Sequence, residues 1–504
     1  MKHKTGILTA LLLAGMALMI PCYLFTAVNT LVSPWELYSR DRAALAVLTM
    51  LCTAGLMLAL RQADRHEVFC ERHEKRMLIA AAVFYFAVQM IMGMLLRYEP
   101  KTDAEQCFTA AKLIVDEGTF GHVERPWIYF TRYPFNLGFV YLLAGIFKFF
   151  GLLGWADRYM QALLVSSLLF TAGLLCAARA ARRMGGAKAQ AKLLLLFASC
   201  LPFLYCTSEL YTDVFSMAFP LMALYLFCRL KEAGSVKARA LWSAAFALCA
   251  FAGAQIRFTA VVAVIACVIA LIFEKKLRAA ALACVLTAAV ITAGGALVDR
   301  YTYTHHLSEE DITKNELPRL HHIAMGLPVQ PDEGYGQYGS GGWLVFSTSF
   351  EDPQERREAL LEEVIDRIYY LRVPSRLIHM MSRKLISTFG DGTFMLHEII
   401  QSDAPQPDNA VKQVIFGTGR FYPAYYHLCT AMFASQMIIA CLACAQAVWK
   451  RRTDAAPVFI ALVGIFLVLC MWETRGRYFF QYQPVLLMAA AMLEIKREAV
   501  RRDD

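Results

Sequence analysis

Long apolar stretches separated by short polar loops run through most of the 504-residue chain. A helix that crosses a hydrocarbon layer about 30 Å thick needs about 17 to 25 such residues, at 1.5 Å per residue. Backbone polar groups inside the layer must bond within their own segment, so the pattern predicts an all-α polytopic membrane protein. Thirteen candidate spans occur, at residues 6–32, 43–60, 77–97, 133–150, 158–178, 193–207, 212–228, 240–255, 257–273, 279–298, 426–448, 455–472 and 480–494.

The basic loops decide which candidates cross the membrane, because short loops rich in Lys and Arg normally share its cytoplasmic side. They all fall on one side if the segment 133–150 lies along the outer surface. We therefore predict about 12 crossings (11 to 13), cytoplasmic termini, and an outer loop over 98–157 with amphipathic helices. The basic loops are residues 61–76, 179–192, 229–239, 275–278, 450–452 and 496–502, with Lys2 and Lys4 at the start.

Four parts follow from this topology. Residues 1–76 hold two helices and a basic loop, 77–298 a membrane core, 299–425 a small mixed region outside the membrane, and 426–504 the last helices and a basic tail. The first apolar run is longer than that of a signal peptide, so we expect a retained anchor. Within the third part, Pro353 and one-sided apolar spacing predict a surface helix over 353–371.

Composition narrows the class of protein further. The chain is 58% hydrophobic and 18% charged, with a mean hydropathy of +0.45. Its formal charge of +9 comes from short loops and forms no continuous basic face, so the expected partner is the lipid bilayer and not nucleic acid. Most of the fifteen cysteines lie inside apolar runs, which predicts neither a disulfide framework nor a metal cluster.

Carboxylates and arginines gather at the predicted outer ends of the spans. An ionisable group at membrane depth costs about 2.5 to 3.5 kcal/mol, so several at one depth indicate a function; the alternative is that they pair and hold helices together. Arginines can bind a phosphate through charge-assisted hydrogen bonds, while a carboxylate takes a proton from a hydroxyl. A polyprenyl-phosphate sugar would present such a phosphate at the bilayer surface. The residues concerned are Asp103, Arg132, Glu209, Asp213, Arg257, Glu473, Arg475 and Arg477.

Three segments carry a resemblance to a known class. The order of "TDAEQCFTAAKLIVDEGTF", "RYPFNLGFVYLLAGIFKFFG" and "CTSELYTDVFSMAFPLMALYLF" resembles the GT-C integral membrane glycosyltransferases over residues 77–260. It is most similar to bacterial family 39 proteins, the relatives of protein O-mannosyltransferases and aminoarabinose transferases. The resemblance implies a GT-C-like helix arrangement, Asp103 as the catalytic or acceptor-binding carboxylate, Arg132 as a contact of the donor phosphate, and Asp213 as a second acid. Many relatives have two adjacent acids, whereas Ala104 separates Asp103 from Glu105 here.

These observations predict a glycosyltransferase in a bacterial cytoplasmic membrane. It would move a sugar from a polyprenyl-phosphate donor to a cell-envelope acceptor, such as a wall polymer, glycolipid or protein, on the extracytoplasmic face. Asp103 is the expected base, supported by Glu105 or Asp213, and the donor phosphate is expected on Arg132, Arg257, Arg475 and Arg477. The alternative is a transporter or flippase of lipid-linked saccharides, whose charges would line a pathway.

Three further residues are weaker candidates for acceptor or sugar contact. His321 and His322 are adjacent, and Asp391 lies in "GDGTF", which is first of all a turn sequence. No ligand spacing of the zinc kind is present, so we predict no metal site there. A divalent cation shared by Asp103 and Asp213 is the open alternative for a cofactor.

Overall fold

A computed structural model describes residues 6–32, 42–330, 333–339, 341–401 and 407–495. Every regular element in these residues is helical, and none of them lies in a strand. The predicted fold class, an all-α polytopic membrane protein, is confirmed. The first eight helices are α1 Ile7–Ala17, α2 Met19–Val32, α3 Arg42–Arg65, α4 Glu67–Leu95, α5 Thr102–Glu117, α6 Glu124–Arg132, α7 Leu137–Leu152 and α8 Arg158–Ser199.

The basic loops that the structure describes, from residues 61–76 to 450–452, lie together at one end of the helix bundle, which we call the basic face. Lys2, Lys4 and the loop 496–502, and with them the predicted cytoplasmic termini, lie outside the described residues. Lys192, whose side chain is 1% exposed, pairs with Asp64 at 2.6 Å and joins the loop 179–192 to the end of α3. Further ion pairs connect the neighbouring loops around this face. They are Arg182 with Glu74, Arg183 with Glu232, Lys231 with Glu274, and Lys450 and Arg452 with Glu494.

The other end of the bundle, which we call the distal face, lies one helix length away. Helix α4 starts at the basic face and has 29 residues, which corresponds to about 44 Å. Helix α4 ends at the distal face, and so does the later helix Leu277–His305. The five helices after α8 are α9 Thr212–Phe215, α10 Ala218–Glu232, α11 Val236–Ile256, α12 Val261–Phe273 and α13 Leu277–His305.

Helix α8 doubles back on itself at the basic face. Gly186 has φ +79° and ψ −176°, which no helical residue adopts, and a glycine reaches this φ without strain. The rings of Phe170 and Phe197 are 6.3 Å apart, whereas 27 residues of straight helix would separate them by about 40 Å. The first leg, 158–185, therefore runs from the distal face to the basic face, and the second leg, 187–199, runs back. Residues 200–208 complete this second passage, because the amide of Leu210 donates to the hydroxyl of Tyr98, just beyond the distal end of α4.

Helix α7 does not cross the bundle, although residues 134–152 are long and apolar enough to do so. Near its start, the hydroxyl of Tyr141 bonds that of Thr302 at 2.7 Å, close to the distal end of α13. Just beyond its end, Asp157 pairs at 2.7 Å with Arg97, which follows α4. Both ends thus lie at the distal face, as the distribution of basic loops predicted.

Within the described residues the chain passes between the faces twelve times. Nine helices are long and apolar enough to span a membrane; α7 among them does not cross, and α8 contributes two legs. The short apolar helices α12 and Ala456–Met471 also cross, and so does the segment around the helix Gln483–Ala491. The last helices are α21 Tyr422–Trp449, α22 Ala456–Met471, α23 Gly476–Phe480 and α24 Gln483–Ala491.

The described residues between 306 and 421 cover part of the distal face with short helices. Helix α17 has the predicted bounds, because Pro353 occupies the first turn and Asp352 accepts from the Glu355 amide at 3.1 Å. Leu360 and Val364 are buried, but Ile365 is 55% exposed. These helices are α14 Glu309–Asn315, α15 Arg319–Gly326, α16 Trp343–Thr348, α17 Pro353–Leu371, α18 Pro374–Phe389, α19 Leu396–Ile400 and α20 Ala410–Ile415.

Candidate functional site

Four separate segments bring charged side chains together at the distal face. Asp103 lies in the first turn of α5, and Asp213 in the four-residue helix α9. Arg257 is the extended residue at which α11 ends, with φ −156° and ψ +116°. Arg477 lies in α23, after the backbone has left α22. Each residue sits where a helix begins or ends, so helix ends place all four side chains at one depth.

Asp213 is the centre of this network. Its carboxylate is fully buried and pairs with Arg257 at 2.6 Å and with Arg477 at 3.8 Å. Arg477 also faces Asp103 at 3.7 Å. The side chain of Asp103 is 42% exposed, those of the two arginines 17%, and that of Asp213 0%. The network therefore leads from the accessible carboxylate of Asp103 through the guanidinium of Arg477 to the buried carboxylate of Asp213, which also holds Arg257.

Aromatic rings hold the two guanidinium groups in place. Arg257 lies 4.9 Å from the ring centre of Tyr478, and Arg477 lies 5.4 Å from that of Tyr211. A guanidinium over an aromatic face is stabilised by the charge distribution of the ring. The hydroxyl of Tyr478 donates to Glu473, so this ring is itself fixed.

Several buried polar atoms at this site have no hydrogen-bond partner. Buried polar groups are bonded in the great majority of cases, so their concentration here indicates a place for a ligand. Both carboxylate oxygens of Glu209 belong to this group. The others include Nε of Arg257, Nε of Arg477, Oε2 of Glu473, and both ring nitrogens of His322.

The carboxyl groups of the site differ in their proton affinity. Burial raises the pKa of Asp103, as Glu473 and Asp213 also do, while Arg477 and Tyr129 oppose the rise. Burial, together with the adjacent Asp213, raises the pKa of Glu209 well above its usual range. Burial would raise the pKa of Glu473 too, but His322, Tyr478 and Arg477 outweigh it and lower that pKa to about 2. The pKa values of Glu209 and Glu473 are thus shifted in opposite directions within one site.

Three predicted site residues lie outside the network. Glu105 faces Arg125 at 3.8 Å, at the exposed side of α5. Arg475 pairs with Glu398 at 3.2 Å. The carbonyl of Arg132 accepts from the Leu317 amide at 3.1 Å, which places Arg132 beside α14. The structure gives none of the three an ion pair with Asp103 or Asp213, so their assigned roles stay predictions.

The weaker candidates have different surroundings. Both oxygens of Asp391 accept hydrogen bonds within its own turn, from Thr393 and Met395, as expected of a turn residue. His321 is bonded to the hydroxyl of Ser347 at 2.7 Å, and burial lowers its pKa to about 4. His322 differs from both, because it lies 3.6 Å from Glu473 at the edge of the network.

Sequence reasoning gave no role to Glu209, Glu473, Tyr211 or Tyr478. Glu209 and Glu473 are among the charged residues at the predicted outer ends of the spans, and this position could have identified them as site residues. The pairing of Glu473 with Tyr478 and His322 depends on how the distal loops pack, and no local pattern shows it. As for a metal, the residues that the structure describes contain no group of three or more His, Cys, Asp or Glu side chains placed to hold one.

Comparisons with known proteins place the chain in a family. A family profile described as "Conserved hypothetical integral membrane protein" matches residues 8–497. The chain belongs to this family. No curated protein matches the sequence. Among solved structures, this chain is similar to ArnT from Cupriavidus metallidurans, whose crystal structure has undecaprenyl phosphate bound. The two chains are 13% identical, with a TM-score of 0.36, over 82% of this chain and 76% of ArnT. A likeness at this level bears on neither reaction nor substrate.

Proposed function

We propose that the protein is a membrane glycosyltransferase that uses a polyprenyl-phosphate sugar as donor. The observation that carries the proposal is the convergence of Arg257 and Arg477 on buried Asp213, with Asp103 at the accessible end. This site lies on the face opposite the basic loops. By the charge rule for membrane proteins, the basic face is cytoplasmic, so the site faces the outside of the cell membrane.

The arginines bind the donor phosphate. When an acceptor hydroxyl attacks the anomeric carbon, the bond from that carbon to the phosphate oxygen breaks, and the electron pair remains on the phosphate. The charge of the leaving group therefore grows, and Arg257 and Arg477 stabilise it in a site with little water. Asp213 holds both guanidinium groups in place before the donor arrives.

Asp103 takes the proton of the acceptor hydroxyl. It is the most exposed acid of the network, so an acceptor can reach it from the distal face. A base must be deprotonated to act, and burial raises the pKa of Asp103. Transfer should therefore slow as the pH falls through that raised pKa. Glu105, Arg132 and Arg475 would assist only through contacts that form when donor and acceptor bind. The acceptor is a hydroxyl-bearing molecule of the cell envelope.

A transfer assay with the full-length protein in lipid nanodiscs tests this proposal. Radiolabelled polyprenyl-phosphate sugars and a membrane-wall extract are the substrates, and released polyprenyl phosphate is measured together with labelled acceptor. We expect Asp103→Asn to lose at least about 100-fold in rate while still binding the donor, as is common for a catalytic base. Glu117→Gln, on the exposed end of the same helix, is the matched control.

The rival function, transport of lipid-linked saccharides, gives a different result. A transporter would move the labelled lipid between leaflets of a liposome without releasing polyprenyl phosphate. That result, or full transfer activity in the Asp103→Asn variant, would contradict the proposal.

A further inference from the structure

Helices α17 and α18 meet at a corner that is largely exposed. Helix α17 ends at Leu371 and α18 begins at Pro374, and we call residues 368–379 the α17–α18 corner. Every residue of this corner except Leu371 is exposed. A large apolar patch on a protein surface normally marks a contact with another molecule or with a membrane. The six large apolar and aromatic side chains of the corner, between 37% and 61% exposed, are Ile368, Tyr369, Tyr370, Val373, Leu377 and Ile378.

Helix α17 divides its side chains among three sides. One side is buried against the protein and includes Leu360 and Val364. A second side carries the exposed apolar residues Leu361, Ile365 and Ile368, which recur every three or four positions. An exposed apolar stripe beside a charged one is typical of a helix that lies in the interface of a membrane. The third side is an acidic stripe, formed by the exposed residues Glu355, Glu358, Glu362 and Asp366.

The corner itself is basic. No acid occurs between Arg367 and Gly390, whereas the exposed Arg372 and Arg376 lie within the corner. The guanidinium of Arg372 lies 3.6 Å from the ring centre of Tyr369, and that of Arg376 lies 4.2 Å from that of Tyr370. Tyrosine rings are enriched at the level of lipid headgroups, and arginines reach that level with their charged ends. The corner thus combines apolar, aromatic and basic groups in the arrangement that suits a lipid surface.

A contact between α18 and α2 fixes the depth of the corner. The side-chain amide of Asn29 in α2 donates to the carbonyl of Ser382 at 2.8 Å. The residue before Asn29 is Val28, which is 50% exposed on a helix long and apolar enough to span the membrane. Ser382 therefore lies at the distal end of a span, on a side that lipid can reach. Ile378 is one helical turn before Ser382, so it lies within about 6 Å of this depth.

Buried contacts on both sides hold the corner in place. Before it, Arg367 pairs with Glu333 and donates to the carbonyl of Leu327 at 2.7 Å. After it, the buried Lys384 donates to the carbonyl of Trp472 at 2.6 Å. Both helices are therefore fixed to the rest of the distal region, and the apolar side chains of the corner stay outside the core. A partner outside the chain has to cover them.

The charges of the corner favour a lipid surface over a second copy of the chain. In a two-fold dimer the same patch meets itself, so Arg372 and Arg376 would face their own counterparts, and like charges repel each other. A leaflet that contains anionic phospholipids offers acyl chains to Ile368 and Ile378 and phosphates to the two arginines. Lipid thus matches both the apolar and the charged part of this surface.

We propose that the α17–α18 corner is seated in the membrane leaflet at the distal face and binds the headgroups of anionic phospholipids through Arg372 and Arg376. Its apolar side chains enter the boundary between headgroups and acyl chains, where interfacial helices lie about 5 to 10 Å deep. The acidic stripe of α17 faces water. This inference does not depend on the proposed function, because it uses no residue of the charge network.

Fluorescence quenching by labelled lipids tests the position of the corner in the full-length protein in nanodiscs. Cys284→Ser removes the exposed cysteine, and Ile378→Cys then carries a bimane fluorophore, with Leu377→Cys as a second position. A nitroxide near the lipid headgroup should quench this bimane more strongly than a nitroxide at the end of an acyl chain. Bimane at Val28→Cys, on the outside of α2, should also be quenched. Bimane at Glu358→Cys, on the acidic stripe, is the matched control and should not be quenched.

The choice of headgroup is tested with nitroxide-labelled phosphatidylglycerol and phosphatidylcholine. We expect phosphatidylglycerol to give equal quenching of bimane at position 378 at an about fivefold lower mole fraction, which corresponds to one arginine near an anionic lipid surface. Combining Arg372→Gln with Arg376→Gln should abolish this preference. The control Arg357→Gln, exposed near the start of α17, should keep it.

Three outcomes would overturn this inference. The first is quenching at position 28 without quenching at positions 377 and 378, which would mean that water or another protein covers the corner. The second is equal quenching by phosphatidylglycerol and phosphatidylcholine. The third is a preference for phosphatidylglycerol that survives the loss of both arginines. Each of these outcomes would leave the proposed function standing.

Discussion

The ion pair between Arg257 and Asp213 can be tested without knowledge of the substrate. It joins the end of α11 to the short helix α9 at 2.6 Å, and both side chains are largely buried. The perturbation is a double-mutant cycle of Arg257→Met, Asp213→Asn and the combined variant. The cycle isolates the interaction between the two side chains from the other effects of each substitution.

The expected size follows from the geometry. Two unit charges at 2.6 Å attract by about 6 kcal/mol at an effective dielectric constant of about 20, and desolvation offsets much of this. Removing one partner of a buried pair costs about 3 to 5 kcal/mol. Arg477 remains 3.8 Å from Asp213 in the Arg257→Met variant, so we expect the lower end of that range. The coupling energy should be about 2 kcal/mol.

Reversible unfolding in mixed detergent micelles, followed by circular dichroism, measures these free energies. Arg319→Met is the control, because Arg319 is exposed and lies over the ring of Phe258 at 5.0 Å. Its effect should stay within about 0.5 kcal/mol. A coupling energy indistinguishable from zero between positions 213 and 257 would refute the assembly of the site described above.

Three further predictions concern the frame around the site. Arg367→Met should destabilise the protein by about 3 to 5 kcal/mol in the same unfolding assay, because Arg367 and Glu333 form a buried pair with side chains 5% exposed. The control Arg357→Met, on the exposed side of α17, should have little effect on the free energy of unfolding. Equal losses of stability in the two variants would contradict this prediction. Gly138→Ala should lower thermal stability, because a Cβ there would lie 2.2 Å from the Gln255 carbonyl. Gly145→Ala on the same helix meets nothing within 4 Å and should be neutral or stabilising. If Gly145→Ala lowered thermal stability more than Gly138→Ala did, the position of α7 would be wrong. On a cysteine-free background, an impermeant thiol reagent should label Arg125→Cys but not Lys237→Cys in intact cells, and labelling of both would show that the two faces are assigned wrongly.

The number and direction of the membrane passages were predictable from the sequence, because they depend on the length of the apolar runs and on the position of the basic loops, which are properties of whole segments. The position of the basic loops was enough to predict that 133–150 lies along the distal face. The hydrogen bond between Tyr141 and Thr302, and the ion pair between Asp157 and Arg97 just after the segment, agree with this prediction. Helix α17 was predictable to the residue, since Pro353 and Asp352 define its first turn. The reversal of α8 was predictable as two spans, while the single glycine that permits it was not singled out.

The site was predictable as a group and not in its details. Ion pairs link Asp103, Asp213, Arg257 and Arg477 in the structure, and the roles assigned to them stay predictions. Glu105 does not join them, because residues two apart on a helix point about 200° from each other. Once Thr102 starts α5, Asp103 faces Arg477 and Glu105 must face outward to Arg125. The direction in which each side chain of α5 faces is set by packing between distant segments, and the local sequence does not reveal that packing.

The turn at Gly186 constrains how the chain can be built into the membrane. The leg after it has 13 helical residues, 187–199, and includes Lys192, so a translocon would not release it into lipid as an independent span. It has to leave the translocon together with the leg 158–185, as a paired unit. Lys192 then needs Asp64, which is synthesised earlier, so the first three helices must already be in place. Biogenesis of this protein is therefore ordered from its N-terminal end, and a defect at Asp64 would surface as degradation of the nascent chain.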